Sequence, residues 1–401
     1  MRKIASLSVA ILSLAACTPS SPIPNEIHAP EARPVKDVVL DDLKSPWSIA
    51  FLSDEEALIS EKGGDLIRID LMDKTRDVIA GLPSDLVSDR RGNNGIFEVL
   101  LSPDFKTNNE IYLAYAAQKD GATTTKIIRA VLRDNALTEI KTILTAEPYT
   151  ENERYHYGGG MIIGGDGKLY ITIGERLFSE ENQPEAPIAQ DITDRRGKIY
   201  RFNPDGSIPA DNPDFGPEAS AGIYALGIRA AQGLALHPVT KEIWFSEHGT
   251  HQGDEINRLI KGANYGWPIK TSGKYRFADY APPAMEETIF TDPEWFWLQT
   301  VAPTGLTFYS GDEFPTWNND LIVPGLSRGS LWRINFENSK IASIEELFIG
   351  DHVRSRKAAQ SPNGTLYMLT DTEYTIVPGV RAINNGAPSG QLIRIRNAAN
   401  E

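Results

Sequence analysis

The feature that most constrains the fold is a motif that occurs six times, in which an apolar residue, a polar turn and an alternating strand follow one another. The copies are FLSDEEALIS (51–60), LSPDFKTNNEIYLAY (101–115), IGGDGKLYITIG (163–174), LHPVTKEIWFSEHG (236–249), YSGDEFPTWNNDLIVPG (309–325) and QSPNGTLYMLTD (360–371). Turns of Pro, Asp, Asn or Gly beside β-branched and aromatic residues predict hairpins. Six such units, roughly 50 to 75 residues apart, predict a radial repeat of four-stranded blades.

The rest of the chain is compatible with one large all-β domain. Its 401 residues are 41% hydrophobic, which is enough for a large core, and no long segment has a helical period. We therefore predict a six-bladed β-propeller over residues 36–401, closed by pairing of the C-terminal GQLIRIRN (390–397) with the N-terminal strands. In such a ring, loops from distant parts of the sequence converge at one end of the channel.

The N-terminus, MRKIASLSVAILSLAAC, has a basic tip, an apolar stretch and small residues before Cys17. This pattern predicts an export signal over residues 1–16. Leu-Ala-Ala-Cys resembles a bacterial lipoprotein cleavage box, with Cys17 as the lipidated first residue, and the alternative is an ordinary signal cut nearby. Residues 17–35 are rich in proline and predict a tether. Because Thr18 is not an aspartate, we expect an outer-membrane lipoprotein that faces the periplasm.

Charge and cysteine content exclude several classes of function. The formal net charge of −14 disfavours nucleic acid and anionic lipid surfaces as partners. We expect contact with a membrane through the lipid anchor alone. Cys17 is the single cysteine of the sequence, so an intramolecular disulfide is excluded, as is a thiol nucleophile in the folded body.

Four short segments carry residues that could perform chemistry. His156 lies in RYHYGGG (154–160), where the alternative is a packed histidine at a strand end. Arg229 lies in a loop flanked by glycines, ALGIRAAQG (225–233), and by itself would be a surface arginine. Arg354 and Arg356 alternate along a predicted strand, so they would face one side and could bind a polyanion, or they could be surface charge.

The fourth segment, SEHGTHQGDEIN (246–257), is a candidate metal site. Its two histidines, His248 and His251, lack an evident third partner for zinc, whereas carboxylates and exposed carbonyl groups are typical of calcium sites. The alternative is a solvated turn.

A set of longer segments carries a resemblance to a known family. They are PWSIAFL (46–52), GIFEVLLSPDF (95–105), HYGGGMIIGGDGKLYITIGE (156–175), GKIYRFNPDGSIPADNP (197–213), LGIRAAQGLALHPVTKEIWFSEHG (226–249), GDEINRL (253–259), GANYGWP (262–268), TVAPTGLTFYSGDEFP (300–315) and RSRKAAQSPNGTLYMLTD (354–371). In this order the set resembles the soluble quinoprotein aldose sugar dehydrogenases of the glucose/sorbosone dehydrogenase family. The six-bladed fold expected from the hairpin units agrees with that resemblance.

The resemblance implies a dehydrogenase that uses pyrroloquinoline quinone (PQQ) and calcium to oxidise aldose sugars at C1 and passes electrons to an external acceptor. His156 would be the base that takes the C1 hydroxyl proton, and Arg229 would stabilise charge on the quinone oxygen. The remaining residues that the resemblance implies are Asn93, Arg354 and Arg356 at the cofactor, the carbonyl groups of Gly249 and Thr250 at one calcium, and Glu255 with the carbonyl group of Tyr265 at a second, structural calcium.

Several positions differ from the family pattern. Asn93 replaces a glutamine, the loop that is usually His-Arg-Asn-Pro reads Ile228, Arg229, Ala230 and Ala231, and Ser327 replaces a lysine. Gly160 replaces an arginine, and Thr250 replaces a proline. These differences keep two alternatives open, namely a binding propeller without redox activity and a lactonase-like hydrolase with calcium in the channel.

Overall fold

The computed structural model describes residues 32–88, 93–151, 155–177, 184, 187–277, 279–285, 288–327, 329–351, 353–374 and 390–400. The predicted export signal, Cys17 and the tether up to residue 31 lie outside these ranges. The segment from Ala32 onward forms one compact unit.

Among the described residues, 24 strands form six antiparallel sheets of four strands each. Strand β1 is Pro34–Leu43. The first blade is β2 (Pro46–Phe51), β3 (Glu56–Glu61), β4 (Leu66–Asp70) and β5 (Arg76–Val78). The second blade is β6 (Ile96–Leu101), β7 (Glu110–Lys119), β8 (Ala122–Arg133) and β9 (Ala136–Thr145). The third blade is β10 (Gly158–Ile163), β11 (Leu169–Ile173), β12 (Lys198–Phe202) and β13 (Ile223–Leu226).

The other three blades repeat this order. The fourth blade is β14 (Ala231–Leu236), β15 (Ile243–Glu247), β16 (Asp254–Arg258) and β17 (Trp295–Trp297). The fifth blade is β18 (Thr307–Phe308), β19 (Leu321–Pro324), β20 (Leu331–Glu337) and β21 (Lys340–Leu347). The sixth blade is β22 (Val353–Gln360), β23 (Leu366–Tyr374), β24 (Gly390–Asn397) and the N-terminal strand β1.

The sixth blade closes the ring because it contains both ends of the described chain. Strand β1 pairs with β24 in antiparallel register, with Val38 opposite Ile393, as the sequence predicts for GQLIRIRN. The first strands of successive blades, β2, β6, β10, β14, β18 and β22, contact one another in turn, and β22 contacts β2. These six strands therefore surround a central channel.

Six hydrophobic clusters fill the spaces between neighbouring blades. Between the fourth and fifth blades, for example, Trp244 packs edge-on against Phe308 with 6.3 Å between ring centroids. Each sheet is thus covered on both faces, which explains strands such as β11 whose residues are all buried. Burial of each large apolar side chain stabilises the fold by about 1.5–3 kcal/mol.

Helices are few and short in the described part of the chain. They are α1 (Phe105–Asn108) and two 3₁₀ turns, Pro315–Trp317 and Ala398–Asn400. Within that part, no helix has the length and apolar character needed to cross a membrane. The prediction of an all-β, six-bladed propeller is confirmed.

Candidate functional site

A cavity of about 340 Å³ lies at one mouth of the channel. Its walls are Trp47, Asn93, Tyr155, His156, Tyr157, Gly158, Gln232, His248, Ala302, Leu326, Arg354 and Arg356. Most of these residues lie at or just before the beginning of the first strand of their blade, and every blade contributes. Four residues predicted from the sequence, Asn93, His156, Arg354 and Arg356, are therefore brought together by ring closure.

His156 is held at the cavity by an unusual backbone. It lies two residues before the start of β10 and has a φ of 49°, in the left-handed region that non-glycine residues rarely adopt. Its carbonyl oxygen lies against Gly174, where an added Cβ would be only 2.0 Å away, so this close approach requires glycine. Strain of this kind costs about 1–3 kcal/mol and is concentrated at functional sites.

The electrostatic environment keeps the His156 imidazole neutral. Burial is the main cause that lowers its pKa well below the usual value, and the charge of Arg229 adds to that effect. The Glu175 carboxylate lies 3.6 Å from Nδ1 of His156 and itself accepts a hydrogen bond from the Trp267 indole. A neutral imidazole beside a carboxylate can accept a proton and be stabilised once charged.

On the opposite side of the channel, three cationic side chains converge on one buried carboxylate. Oδ2 of Asp371 lies 2.8 Å from Nη2 of Arg356, 2.9 Å from Nζ of Lys62 and 4.0 Å from Nε of Arg354. Burial alone would raise the pKa of Asp371, but the three positive charges outweigh it and hold that pKa far below its usual range. Three positive charges thus surround one negative charge at this end of the cavity. The excess of positive charge favours the binding of an anionic ligand.

The two arginines share this cavity despite an irregular strand. The pairing of β22 with β23 shifts register on both sides of Ser355, so simple alternation does not describe this part of the strand. Arg356 is nonetheless fixed over the Trp47 ring, with 4.2 Å between its Cζ and the ring centroid. An aromatic wall and fixed guanidinium groups suit a flat, anionic molecule.

A second, much smaller cavity of about 20 Å³ adjoins the first, and His248 lines both. Its walls include Arg229, Gly249, Glu255 and Tyr265, all predicted from the sequence, together with Glu247. Burial, followed by the charge of Glu255, raises the pKa of Glu247 to about 8. Burial also raises the pKa of Glu255. Glu247 is buried and Glu255 is half-buried, and two carboxylates at one small cavity can bind a cation.

The Gly249–Thr250 turn is arranged differently from the calcium site that the resemblance implies. Nη1 of Arg229 donates a hydrogen bond of 2.6 Å to the Gly249 carbonyl oxygen. Nη2 of Arg276 donates one of 3.1 Å to the Thr250 carbonyl oxygen. Within the described ranges, no cluster of three or more His, Cys, Asp or Glu side chains could hold a metal ion. Both carbonyl oxygens thus face permanent cations.

The structure shows the surroundings of two positions that differ from the family pattern, Gly160 and Ser327. An added Cβ at Gly160 would lie 2.9 Å from the Gln232 carbonyl oxygen, so a larger side chain there would require the backbone to move. Ser327 is buried beside Leu326, which lines the larger cavity. A longer side chain at position 327 would therefore begin close to the cavity wall.

Sequence reasoning missed Lys62, Glu175, Asp371 and Arg276. Glu175 follows strand β11 and Gly174, and its side chain is buried. An acidic residue directly after a strand of apolar residues is a sequence signal that could have identified it. Lys62 and Asp371 are 309 residues apart and meet only because the first and sixth blades are neighbours. A pairing of this kind has no local sequence signal.

The fold and the site together define a class of protein, namely a six-bladed propeller with a neutral histidine and a cation cluster facing each other across one channel mouth. Residues 43–377 match the Glucose / Sorbosone dehydrogenase family, and the chain belongs to that family. This match confirms the resemblance found in the sequence.

Known proteins with similar sequences and structures support the assignment. The chain is 32% identical to aldose sugar dehydrogenase YliI of Escherichia coli over 84% of this chain and 89% of the relative. It is 28% identical to quinoprotein glucose dehydrogenase B of Acinetobacter calcoaceticus over 90% of each chain. The solved apo-form of the soluble aldose sugar dehydrogenase of Escherichia coli has a TM-score of 0.78 and 30% identity, covering 91% of this chain and 100% of that one.

Proposed function

We propose that this protein is a quinoprotein dehydrogenase that uses PQQ to oxidise an aldose sugar at C1. The observation that carries the proposal is the arrangement of the larger cavity. The third blade contributes the neutral imidazole of His156, and the sixth blade contributes the cluster of Arg354 and Arg356. Oxidation of a sugar hydroxyl needs a base, and an anionic cofactor needs cations. Membership of the family supports the same activity.

Some residues of the site transfer a proton, and others bind the cofactor or stabilise charge. The imidazole of His156 takes the proton of the C1 hydroxyl group, and the Glu175 carboxylate beside Nδ1 stabilises the imidazolium that results. The buried guanidinium of Arg229 contributes positive charge at the adjoining wall. When bound, PQQ supplies a quinone that accepts the two electrons with the C1 hydrogen as a hydride.

The cavity walls fit such a cofactor. Arg354 and Arg356 would bind its carboxylates, and the amide side chains of Asn93 and Gln232 supply further hydrogen-bonding groups. The Trp47 ring offers an aromatic face at the same wall. These groups come from four blades, so binding depends on the closed ring.

We further propose one calcium ion at the smaller cavity, held by Glu255, Glu247 and the carbonyl group of Tyr265. Calcium prefers oxygen ligands, and burial raises the pKa values of both carboxyl groups, an effect that a bound cation would offset. The ion would stabilise the fourth blade, which supplies the walls around Arg229.

Titration of the purified protein with PQQ, followed by absorbance, tests the proposal. Replacing Arg356 with Ala removes a charge-assisted contact of about 1.5–3 kcal/mol and should weaken PQQ binding about tenfold or more. Replacing His156 with Ala is the matched control, because a base that acts on the sugar does not bind the quinone. If the wild-type protein does not bind PQQ, the proposal fails and a propeller that binds another ligand is favoured.

The cellular setting is also a proposal. The Leu-Ala-Ala-Cys sequence supports a lipid anchor on Cys17, with the propeller on the periplasmic side of the outer membrane and electrons passing to an external acceptor. Cys17→Ser should release the protein from the membrane fraction or block its maturation. Unchanged fractionation would contradict the anchor.

A further inference from the structure

The segment around His156 has a strained backbone. His156 itself has a φ of 49°, and Gly158 and Gly159 follow at 72° and 89°. A left-handed φ at a non-glycine residue persists only where the surrounding structure fixes it. The contacts made by the two residues that flank His156 therefore determine where its imidazole lies.

The side chain of Arg176 contacts both of these flanking residues. Its Nη1 atom donates a hydrogen bond of 2.8 Å to the Tyr155 carbonyl oxygen. Its Cζ atom lies only 3.5 Å from the centroid of the Tyr157 ring, and the whole Arg176 residue is buried. A planar guanidinium can stack on an aromatic ring and donate hydrogen bonds in its own plane at the same time. Arg176 thus fixes the chain on each side of His156.

The same guanidinium is attached to the second blade. Its Nη2 atom donates a hydrogen bond of 2.8 Å to Oγ1 of Thr123, and that oxygen lies 2.9 Å from the Tyr157 hydroxyl group. Thr125 donates a further bond of 2.7 Å to the Tyr157 carbonyl oxygen. Both threonines belong to β8, which pairs with β7 on one side and β9 on the other. The segment that carries His156 is therefore held against a strand whose own position is fixed.

Position and charge are both candidates for the effect of Arg176 on the base. The charged and titratable groups described around the His156 imidazole are Glu175, Arg176, Arg229 and His248. Loss of solvation is the main cause that lowers the pKa of His156, and the positive charge of Arg176 adds to it. An experiment must therefore change the geometry of the guanidinium separately from its charge.

We propose that Arg176 is a positioning residue for proton transfer, because its planar guanidinium joins Tyr155, Tyr157 and the second blade and so holds the His156 imidazole at the cavity. The inference rests on the proposed function, since it concerns the same base. Among the described residues that line the two cavities, Arg176 is absent. It therefore acts through His156 rather than on the sugar or the cofactor.

Two substitutions of Arg176 separate geometry from charge. Arg176→Lys keeps the positive charge but loses the planar, forked group, whereas Arg176→Met loses both. We expect both variants to lower kcat in dye reduction by about tenfold to a hundredfold, because a displaced base costs about that much, while PQQ affinity changes little. Arg201→Met is the matched control. Arg201 is also a buried arginine of the third blade, with its Cζ 5.8 Å from the centroid of the Tyr224 ring, but it lies near the end of β12 remote from His156. Its loss should lower stability and leave kcat unchanged.

A second readout needs neither PQQ nor sugar. Titration of the imidazole signals of the protein by NMR, with the His156 signal assigned by its absence from His156→Ala, measures the pKa of His156 directly. That pKa should rise in Arg176→Lys, because water reaches a displaced imidazole, and rise further in Arg176→Met, because a positive charge is also lost. Arg201→Met should leave it unchanged.

Thr123→Val keeps the inference testable if the Arg176 variants do not fold. Valine has nearly the shape of threonine but removes the oxygen that Nη2 of Arg176 contacts, so kcat should fall by a smaller factor. Wild-type kcat and His156 pKa in Arg176→Lys, or in Thr123→Val where the Arg176 variants are unfolded, would overturn the inference, as would an equal loss of kcat in Arg201→Met. A wild-type protein without dye reduction would overturn the proposed function, whereas the imidazole titration would still decide whether Arg176 positions His156.

Discussion

Replacing Asp371 with Asn tests the charge balance at the cofactor end of the cavity. The Asp371 side chain has no exposed surface, and its Oδ2 atom lies within 2.9 Å of both Arg356 and Lys62. Asn removes the negative charge and leaves the neighbouring cations facing one another in a buried place. Removing one partner of a buried ion pair costs about 3–5 kcal/mol, so we expect the free energy of unfolding to fall by about that amount.

The assay is urea denaturation, with and without PQQ, and the control is Asp320→Asn. Asp320 is also buried, with Arg333 Nε 2.6 Å from its Oδ2 atom, but it is not part of the wall of the larger cavity. Both variants should be less stable than the wild-type protein. PQQ should restore more stability to Asp371→Asn, because an anionic ligand compensates the cations that the substitution leaves behind.

Two results would refute this reasoning. One is a loss of less than about 1 kcal/mol in Asp371→Asn, since that would mean the buried charges are not coupled. The other is an equal response of the two variants to PQQ.

The pH dependence of the free energy of unfolding is a further test of the Asp371 interaction. Because the pKa of Asp371 is lowered in the folded state, its contribution is present above the unfolded pKa of about 3.9 and is lost as pH falls towards the folded value.

Three other variants and one pH profile test the remaining features. His156→Ala should lower kcat about 10²–10⁴-fold in a dye-reduction assay, with PQQ affinity unchanged. Because the pKa of His156 is lowered, the acid limb of kcat/KM should lie below pH of about 6.5, and a limb above that value would contradict the assignment. Ser327→Lys should tighten PQQ binding about tenfold in titration, and unchanged affinity would place position 327 away from the cofactor. Calcium should raise the melting temperature of the wild-type protein, and Glu255→Gln should abolish that rise. An undiminished rise in the variant would show that Glu255 is not a calcium ligand.

The fold could be predicted because its signals are local. Each of the six turn–strand units identifies a hairpin by itself, and the GQLIRIRN segment has the alternation of a strand that pairs with β1. The bulge at Ser355 could not be predicted, because it depends on how β22 pairs with β23 rather than on its own residues.

The candidate site could be predicted in part. His156, Arg354 and Arg356 occur in segments that resemble a family, so their convergence followed from that resemblance. Lys62 and Asp371 could not be found in this way, because each is an ordinary charged residue until the first and sixth blades meet. Arg276 is a further case, since its partners are backbone carbonyl groups that no side-chain pattern reveals.

The most direct test of the central claim is dye reduction by the purified protein after addition of PQQ, measured with a panel of aldoses. The account predicts turnover that requires both PQQ and an aldose and that is lost in His156→Ala. PQQ binding without reduction of the dye by any aldose would contradict it and would instead support a propeller that binds the cofactor but has no sugar dehydrogenase activity.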